Sequence, residues 1–301
     1  MAPRCIVEIR GGKLTGTKAV LDPGRTLRVG RSDLADLVVP HDAQLSAPHF
    51  ELTWDGARCT LRDLRSLTGT RLDGAAVAAL HEAEVQHGAW IQAGHTDFMV
   101  YVEGHTPPPA DAGDDDDDEE LDEEERRARV ARRAAAERAL AALRDEAAVA
   151  PLYVVLDAAR DDRILELLRE SVERHQSLYE GQPAEPLDEV APYLAGPMAP
   201  DSRLLERLVR EGWGRRWGIF CTSEEKFAEV RRHFRRFLMA ELEDELDRVY
   251  FRFYDPRVMS TFLPVCSVSQ LDELTRQLTR ILCEDRQGRL LSMGRNAGAG
   301  S

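Results

Sequence analysis

Cysteine is scarce in this chain and has no paired spacing. The 301 residues contain five cysteines, which are Cys5, Cys59, Cys221, Cys266 and Cys283. No two of them form a C-x-x-C pair, so neither a disulfide framework nor a zinc knuckle is indicated, and we expect small buried hydrophobic residues in a reducing compartment. The eight histidines include no i, i+4 pair of the kind that helical metal sites use. The sequence therefore predicts no metal and no cofactor.

Long apolar runs and a basic surface are also missing. No run approaches the length of a membrane span, and the first six residues lack a signal-peptide pattern, so we expect a cytoplasmic protein without membrane insertion. The formal net charge of -14 comes largely from one acidic run between Asp114 and Glu125. No basic face large enough to displace counterions stands out, which argues against a nucleic acid partner.

The length of the chain and its 43% hydrophobic content suit two globular domains. We predict domains at 1–105 and 151–290, a linker at 106–150 and a flexible tail at 291–301. Within the linker, three consecutive prolines are extended, and residues 119–148 lack glycine and proline, which predicts a charged helix. Large apolar residues are sparse in this helix, so we interpret it as a solvated spacer, with a docking site for a basic partner as the alternative.

Residues 1–105 have the pattern of an all-β sandwich, with short apolar runs separated by turn signals. Phe50, Leu52 and Trp54 alternate before Asp55-Gly56, which predicts a tight hairpin. Further strands are predicted at Cys5–Ile9, Thr26–Val29, Leu37–Val39, Trp90–Gln92 and Phe98–Val102.

Three ordered motifs lie on this framework. They are Val29-Gly30-Arg31-Ser32, Ser46-Ala47-Pro48-His49-Phe50 and Ser66-Leu67-Thr68-Gly69-Thr70-Arg71-Leu72-Asp73-Gly74. Together they resemble the forkhead-associated (FHA) domain, which reads phosphothreonine through loops at one end of a β-sandwich. The resemblance implies that the phosphopeptide is bound by Arg31, Ser46 and Thr68, and that its loops are supported by Gly30, His49 and Gly69. A guanidinium and a hydroxyl are fitting ligands for a phosphate group, which carries about -1.5 to -2 charge and several acceptor oxygens.

Some positions depart from the family pattern. Ala47, Thr68 and Asp73 stand where the family usually has asparagine, and Leu67 stands where it has a small hydroxyl residue. Loss of these amides weakens the hold on a peptide backbone. A phospho-independent interaction module of the same fold is the alternative.

Residues 151–290 alternate predicted strands with predicted helices, which indicates an α/β domain. The main predicted elements are a strand at Leu152–Asp157, a helix at Asp161–Arg174, a helix capped by Asp201 or Ser202, a strand at Trp217–Cys221, a helix opened by a capping box of Thr222 and Glu225, a strand at Val249–Tyr254, and a last helix from Ser267 or Ser269 that carries Leu271, Leu274, Leu278 and Leu282.

Short motifs in this region occur in a characteristic order. They are Tyr153-Val154-Val155-Leu156-Asp157-Ala158-Ala159-Arg160, Ser177-Leu178-Tyr179-Glu180-Gly181, Ala191-Pro192-Tyr193-Leu194, Gly212-Trp213-Gly214-Arg215-Arg216-Trp217-Gly218-Ile219-Phe220, Arg231-Arg232-His233-Phe234-Arg235-Arg236-Phe237-Leu238 and Phe251-Arg252-Phe253-Tyr254-Asp255-Pro256-Arg257-Val258. Together they resemble the effector adaptors, or effector chaperones, of bacterial type VI secretion systems. The resemblance implies a non-catalytic domain that binds a toxic effector in the bacterial cytoplasm and helps load it onto the VgrG spike.

The last of these motifs, which we call the octapeptide, has the chemistry of a recognition segment. We expect contacts of Arg252 and Arg257 with a partner, an anchoring role for Tyr254, and a role for Asp255 in capping or orienting the turn. The alternative is a buried strand whose arginine pairs with a nearby carboxylate. Asp157 is expected to cap a helix or turn, and an enzyme that acts through it is the least favoured interpretation.

The predicted function is therefore a non-enzymatic adaptor for a type VI effector, whose FHA module adds docking to a phosphothreonine-containing or otherwise specific partner. The alternative is a phosphorylation-dependent signalling scaffold that is not tied to effector loading.

Overall fold

The structure, a computed structural model, describes residues 2–11, 14–109, 122–179, 190–241 and 248–294. The chain divides into two compact units. The first unit comprises Met1–Pro107 together with Arg169–Arg174, and the second comprises Pro108–Leu168 together with His175–Ser301. The two units are described separately.

The first unit is a β-sandwich. Its described strands are β1 (Cys5–Ile9), β2 (Lys18–Leu21), β3 (Arg25–Gly30), β4 (Leu37–Val38), β5 (Phe50–Trp54), β6 (Cys59–Asp63), β7 (Thr70–Leu72), β8 (Ala75–Val77), β9 (Glu82–Val85), β10 (Trp90–Ala93) and β11 (Thr96–Val102). One sheet has the order β2-β1-β11-β10-β7-β8 and the other β4-β3-β5-β6-β9. The strand pairs are antiparallel except for the parallel pair β3–β4.

The predicted hairpin forms between β5 and β6, with Trp54 opposite Cys59. Alternate residues of both strands are buried, as a two-layer sandwich requires. The side chain of Asp55 accepts hydrogen bonds of 2.7 Å from the backbone N–H groups of Ala57 and Arg58, and Gly56 has a φ of +105°. The strands β2, β7, β8 and β9 were not predicted from the sequence, because their apolar alternation is short or weak.

The second unit is built on one six-stranded sheet. Its strands are β12 (Leu152–Asp157), β13 (His175–Ser177), β14 (Pro192–Met198), β15 (Gly218–Thr222), β18 (Arg280–Glu284) and β19 (Leu290–Gly294), in the order β13-β14-β12-β15-β18-β19. Two further strands, β16 (Met239–Glu241) and β17 (Arg248–Tyr250), form a separate pair. The described pairs are all antiparallel. The predicted mixture of helices and strands is present, but antiparallel pairing makes this domain α+β rather than α/β, because strand periodicity carries no information on pairing direction.

Helices cover both faces of this sheet. They are α1 (Glu123–Val149), α2 (Arg163–Arg169), α3 (Arg203–Gly212), α4 (Phe227–Arg235), α5 (Pro256–Phe262) and α6 (Val268–Leu274). Along β12, Leu152, Val154 and Leu156 join the core that contains α1, α2 and α3, whereas Tyr153 and Val155 join the core that contains α4, α5 and α6. Burial on both faces explains why this strand is apolar throughout.

The helix α1 corrects the prediction of a solvated spacer. Asp122 caps it with a complete capping box to Glu125, and its first turn is acidic. In its second half, however, Ala136, Leu140 and Leu143 are buried in the core that includes α3 and β12. Small alanines allow close packing, so a helix with few large apolar residues still contributes to the core. Residues 110–121, which include most of the predicted acidic run, lie outside the described residues.

Several predicted boundaries also change. The helix α2 is limited to Arg163–Arg169, where 161–174 was predicted. Ser202 caps α3 through a 3.1 Å hydrogen bond from Leu205 N–H, as predicted. The predicted capping box of Thr222 is wrong, because Thr222 ends β15 and α4 begins five residues later without a side-chain cap. Ser267 caps α6 with a capping box, but Leu282 belongs to β18 rather than to this helix.

The five cysteines are free thiols. Cys5, Cys59, Cys221 and Cys283 are buried, and Cys266 is half-buried. Burial raises the pKa of Cys283 to about 12, so this thiol is neutral near pH 7. Among the described residues, no helix is both long enough and apolar enough to cross a lipid bilayer.

Candidate functional site

Three loops at one end of the sandwich are joined through Ser46. The backbone N–H of Arg31, after β3, donates a 3.0 Å hydrogen bond to the Ser46 carbonyl oxygen. The backbone N–H of Leu67, in the β6–β7 loop, donates a 3.0 Å hydrogen bond to Ser46 Oγ. Thr68 Oγ1 donates to the carbonyl oxygen of Gln44 at 3.2 Å. The fold therefore brings together the three motifs that the sequence places far apart.

His49 is buried behind these loops and holds two of them. Its Nδ1 accepts a 3.0 Å hydrogen bond from the Ser46 backbone N–H, and its Nε2 lies 3.1 Å from the Gly69 carbonyl oxygen. Since a backbone N–H can only donate and a carbonyl oxygen can only accept, the ring is neutral with its proton on Nε2. Burial lowers the pKa of His49 and outweighs the hydrogen bond to Gly69. The geometry is the one that a bracing role requires.

Gly30 and Gly69 have different reasons to be glycine. A Cβ on Gly30 would lie 2.9 Å from both Pro48 Cα and the Ser46 carbonyl oxygen, so the β4–β5 loop could not approach β3 as it does. Gly69 has free space around it but a φ of +76°, which side chains rarely adopt. One glycine permits close backbone contact and the other permits the turn.

Two hydrogen-bond donors are available at the surface of these loops. The Arg31 side chain is exposed and has no hydrogen bond or salt bridge among the residues described. Ser46 Oγ accepts the Leu67 N–H, which leaves its own proton free to be donated. Thr68, also predicted to bind the phosphopeptide, instead has its hydroxyl engaged with Gln44, while the neighbouring Leu67 is 89% exposed. A guanidinium and a hydroxyl thus remain for an anion.

Two buried carboxylates that sequence analysis missed fasten the same loops. Asp63 accepts hydrogen bonds from Ser66 N–H at 3.0 Å and from the hydroxyls of Ser66 and Thr70, each at 2.6 Å. Asp42 accepts from His95 N–H at 2.7 Å, from the Thr96 hydroxyl at 2.8 Å and from Gln44 N–H at 2.9 Å. Burial by itself would raise the pKa of both carboxyls, but these hydrogen bonds outweigh the effect of burial, and both pKa values are lowered. The only sequence feature that could have indicated the role of Asp63 is its position three residues before Ser66, which is followed four residues later by Thr70.

The octapeptide in the second unit is not a strand. The strand β17 ends at Tyr250, and Phe251–Asp255 lead into α5 through a turn. Phe253 is fully buried and stacks on Phe234, with ring centroids 5.2 Å apart. Tyr254 is 2% exposed because its ring packs in the core of the second unit. The prediction that it anchors a partner is therefore wrong.

The arginines of the octapeptide form a chain of ion pairs with buried aspartates. Arg252 donates through Nη2 to Asp157 Oδ2, and Arg160 Nε lies 3.3 Å from the same oxygen. Asp255 Oδ2 accepts hydrogen bonds of 2.6 Å from both Arg160 Nη2 and Arg257 Nη2. The order of charges is therefore arginine, aspartate, arginine, aspartate, arginine. The pairing of Arg252 with a carboxylate is what the alternative interpretation of this segment predicted.

The arginines at the two ends of this series of ion pairs remain accessible to solvent. The side chains of Arg252 and Arg257 are 44% and 46% exposed, whereas those of Asp157 and Asp255 are buried. Asp255 also caps α5 by accepting the Arg257 N–H at 2.9 Å, in agreement with its predicted role in the turn. Burial would raise the pKa of Asp255, but the hydrogen bonds from Arg257 and the attraction to Arg257 and Arg160 lower it. The octapeptide therefore presents two half-exposed guanidiniums to solvent, each paired with a buried carboxylate.

Comparison with known proteins assigns a domain to each unit. Residues 27–94 match the family model described as FHA domain, and residues 152–273 match the one described as Domain of unknown function (DUF4123). No curated protein matches this chain. The chain thus carries an N-terminal FHA domain and a C-terminal DUF4123 domain.

Solved structures that are similar to this chain include FHA domains. One, from a structural and functional analysis of phosphothreonine-dependent FHA domain interactions, is 28% identical, covers 33% of this chain and 95% of its own, and has a TM-score of 0.29. The FHA domain of the CT664 protein from Chlamydia trachomatis is 23% identical over 33% of this chain and 96% of its own, with a TM-score of 0.30. The FHA domain of a hypothetical protein from Arabidopsis thaliana is 25% identical over 36% of this chain and 92% of its own, with a TM-score of 0.32.

Proposed function

We propose that this chain is a non-enzymatic adaptor that binds a type VI secretion effector and helps load it onto the VgrG spike. Its FHA domain docks a phosphothreonine-containing partner, and its DUF4123 domain holds the effector. Both activities take place in the bacterial cytoplasm and need no cofactor.

The proposed phosphothreonine binding rests on one observation: three loops meet at Ser46, and one of them carries the exposed Arg31. A phosphate would take a charge-assisted hydrogen bond from Arg31 and a second one from the Ser46 hydroxyl. Ser46 sits on a loop that His49 holds in place, and the backbone of Arg31 is hydrogen-bonded to that loop, so little backbone entropy is lost on binding.

The adaptor half is supported by the ordered motifs of the second unit and by the match of residues 152–273 to DUF4123. Burial of Tyr254 and Asp255 leaves the contact role to Arg252 and Arg257, whose charges face solvent in part. Guanidiniums that are held by buried carboxylates are presented at low entropic cost, which suits carbonyl or carboxylate groups on a partner.

The phosphothreonine half is tested by calorimetric titration of the full chain with phosphothreonine peptides and their unphosphorylated forms. We expect Arg31→Ala to weaken binding by about 10- to 100-fold, the effect of losing one hydrogen bond between charged groups. Arg25→Ala is the matched control, because Arg25 is exposed at the opposite end of the same strand. Equal binding of both peptide forms would leave the phospho-independent module as the function.

The adaptor half is tested by co-purification of the full chain with effectors and VgrG proteins encoded near its gene. Arg252→Ala/Arg257→Ala should reduce effector retention, whereas Arg232→Ala, at an exposed arginine of α4, should not. Arg31→Ala should leave effector retention intact. If Arg31→Ala instead abolishes every interaction, the signalling scaffold is the better description.

A further inference from the structure

A cleft of about 560 Å³ opens in the second unit between α1, the turn after α3, α5 and the β18–β19 hairpin. Its volume lies in the range of ligand-binding sites. The apolar lining of the cleft consists of the exposed Ala131, the half-buried Ala135 and the largely buried Trp213 and Pro256. Apart from Arg257, its lining residues have no role in the function proposed above.

Each of the four elements around the cleft contributes one arginine. These are Arg132 from α1, Arg216 from the turn after α3, Arg257 from α5 and Arg286 from the hairpin. Arg216 is exposed and makes no hydrogen bond or salt bridge with the part of the chain that the structure describes. Arg286 is exposed too, and its Nη2 donates a long 3.3 Å hydrogen bond to Thr261 Oγ1. Guanidinium donors are therefore available on two sides of the cleft.

The two carboxylates of the cleft do not balance these charges. Asp285 is engaged in its own turn, where it accepts from Gln287 N–H at 2.8 Å and from Arg289 N–H and Nε at 2.9 and 2.8 Å. Burial raises the pKa of Glu284, although a 2.9 Å hydrogen bond from Gly214 N–H and the attraction of Arg216 oppose the shift. Because four arginines face two carboxylates in its lining, the cleft is positively charged in net terms.

The walls of the cleft are tied together. Trp213 Nε1 donates a 2.9 Å hydrogen bond to the Gly288 carbonyl oxygen, which joins the turn after α3 to the hairpin. Gly214 has a φ of +86°, and a Cβ there would lie 2.9 Å from Arg132 Cδ, so this turn approaches α1 closely. Arg257 is held by Asp255 from within the core. The walls of the cleft and Arg257 are therefore fixed before any ligand arrives, whereas Arg216 and Arg286 extend from these walls at exposed positions.

We propose that this cleft binds an extended peptide segment of a partner protein in which carboxylate side chains are spaced by apolar ones. The apolar residues of the segment pack on Ala131 and Ala135 of α1, while the carboxylates reach Arg216 and Arg286. A single phosphate fits less well, because its oxygens need donors that converge on one point. Here the arginines come from four separate elements.

The site is tested on the full chain by fluorescence anisotropy with a short fluorescein-labelled peptide that alternates glutamate with leucine or alanine. We expect binding that weakens with salt, and no binding of the counterpart with glutamine for glutamate. Arg216→Ala/Arg286→Ala should weaken binding by about tenfold or more, because two charge-assisted hydrogen bonds are lost. Arg232→Ala/Arg280→Ala removes the same charge from exposed arginines outside the cleft and should change nothing.

A charge reversal guards against a variant that fails to fold. Arg216→Glu/Arg286→Glu should lose the glutamate peptide and gain binding of its lysine counterpart, which only a folded cleft can do. Absence of binding, equal binding of the glutamine peptide, an unchanged affinity in Arg216→Ala/Arg286→Ala, or displacement by an equal concentration of inorganic phosphate would each overturn the assignment. None of these measurements depends on phosphothreonine docking or on effector retention, so failure of the function proposed above would be seen separately.

Discussion

Asp255→Asn is the most direct test of the ion-pair chain in the second unit. The asparagine keeps the oxygen that caps α5, but it places an amide where Asp255 Oδ2 accepts 2.6 Å hydrogen bonds from Arg160 and Arg257. The substitution therefore removes the charge and preserves size and capping.

The cost follows from the exposure of the two arginines. The Arg160 side chain is 25% exposed and pairs with a buried carboxylate, so its hydrogen bond to Asp255 contributes about 1.5–3 kcal/mol. The Arg257 side chain is 46% exposed, and solvent screening reduces its share to about 0.5 kcal/mol. We expect the free energy of unfolding of the second unit to fall by about 2–3.5 kcal/mol.

Hydrogen exchange of the β12 amides measures this change in the full chain, because β12 is a central, buried strand of the second unit. Asp272→Asn is the matched control at an exposed position of α6 and should stay within about 0.5 kcal/mol of the unsubstituted protein. If Asp255→Asn loses no more unfolding free energy than this control, the ion pairs of Asp255 do not stabilise the second unit.

The pH dependence adds a second criterion. The pKa of Asp255 is lowered in the folded protein, whereas in the unfolded chain it has the ordinary value of about 3.9. Its stabilisation is therefore complete above about pH 4 and is lost as the pH falls through the folded-state pKa. The unsubstituted protein and Asp255→Asn should converge in stability at the acid end, and a difference that persists there would show that charge is not the cause.

Three other predictions follow from the packing. Gly30→Ala should destabilise the first unit by about 1–3 kcal/mol and weaken phosphopeptide binding in calorimetry, because the alanine Cβ would lie 2.9 Å from backbone atoms. Gly11 has open space around it, so Gly11→Ala should change neither the stability nor the binding. Burial lowers the pKa of His49 in the folded protein, so the stability of the first unit should decline as the pH falls below about 6.5, the pKa of histidine in the unfolded chain. Hydrogen exchange of the β5 amides should show this decline in the unsubstituted protein and not in His49→Gln. Leu143→Ala should lower the unfolding free energy by about 2–5 kcal/mol in urea titrations, since this side chain is fully buried, whereas Val130→Ala on the exposed face of the same helix should have little effect; equal effects would contradict the packing of α1 into the core.

The site of the first unit was largely predictable because its signals are local. Arg31, Ser46 and His49 belong to short motifs in which turn residues, a strand end and a ligand group are adjacent in sequence. Asp63 and Asp42 were missed, since a carboxylate that accepts hydrogen bonds from several loops has no spacing that marks it. Thr68 was assigned by its position in a motif, but its hydroxyl is committed to Gln44 by the way the loops fold.

The second unit shows where local patterns mislead. Arg252 and Asp157 are paired across 95 residues of chain, as are Arg160 and Asp255. Aromatic alternation in the octapeptide suggested a strand, but Phe253 and Tyr254 are consecutive and both buried, because the turn into α5 faces core on each side. Which polar residues of this segment contact solvent was thus decided by the helices packed around it.

By itself the sequence determined the caps of α3 and α6 and the strands β1 and β12, because side-chain caps and short apolar runs act over a few positions. The FHA character of the first domain followed from the resemblance that its three ordered motifs carry. Only the tertiary structure decided that the second half of α1 is core, that Tyr254 is unavailable to a partner, and that four arginines surround one cleft. Burial and ion pairing depend on which distant segments meet, and that information resides in the packing of the whole unit.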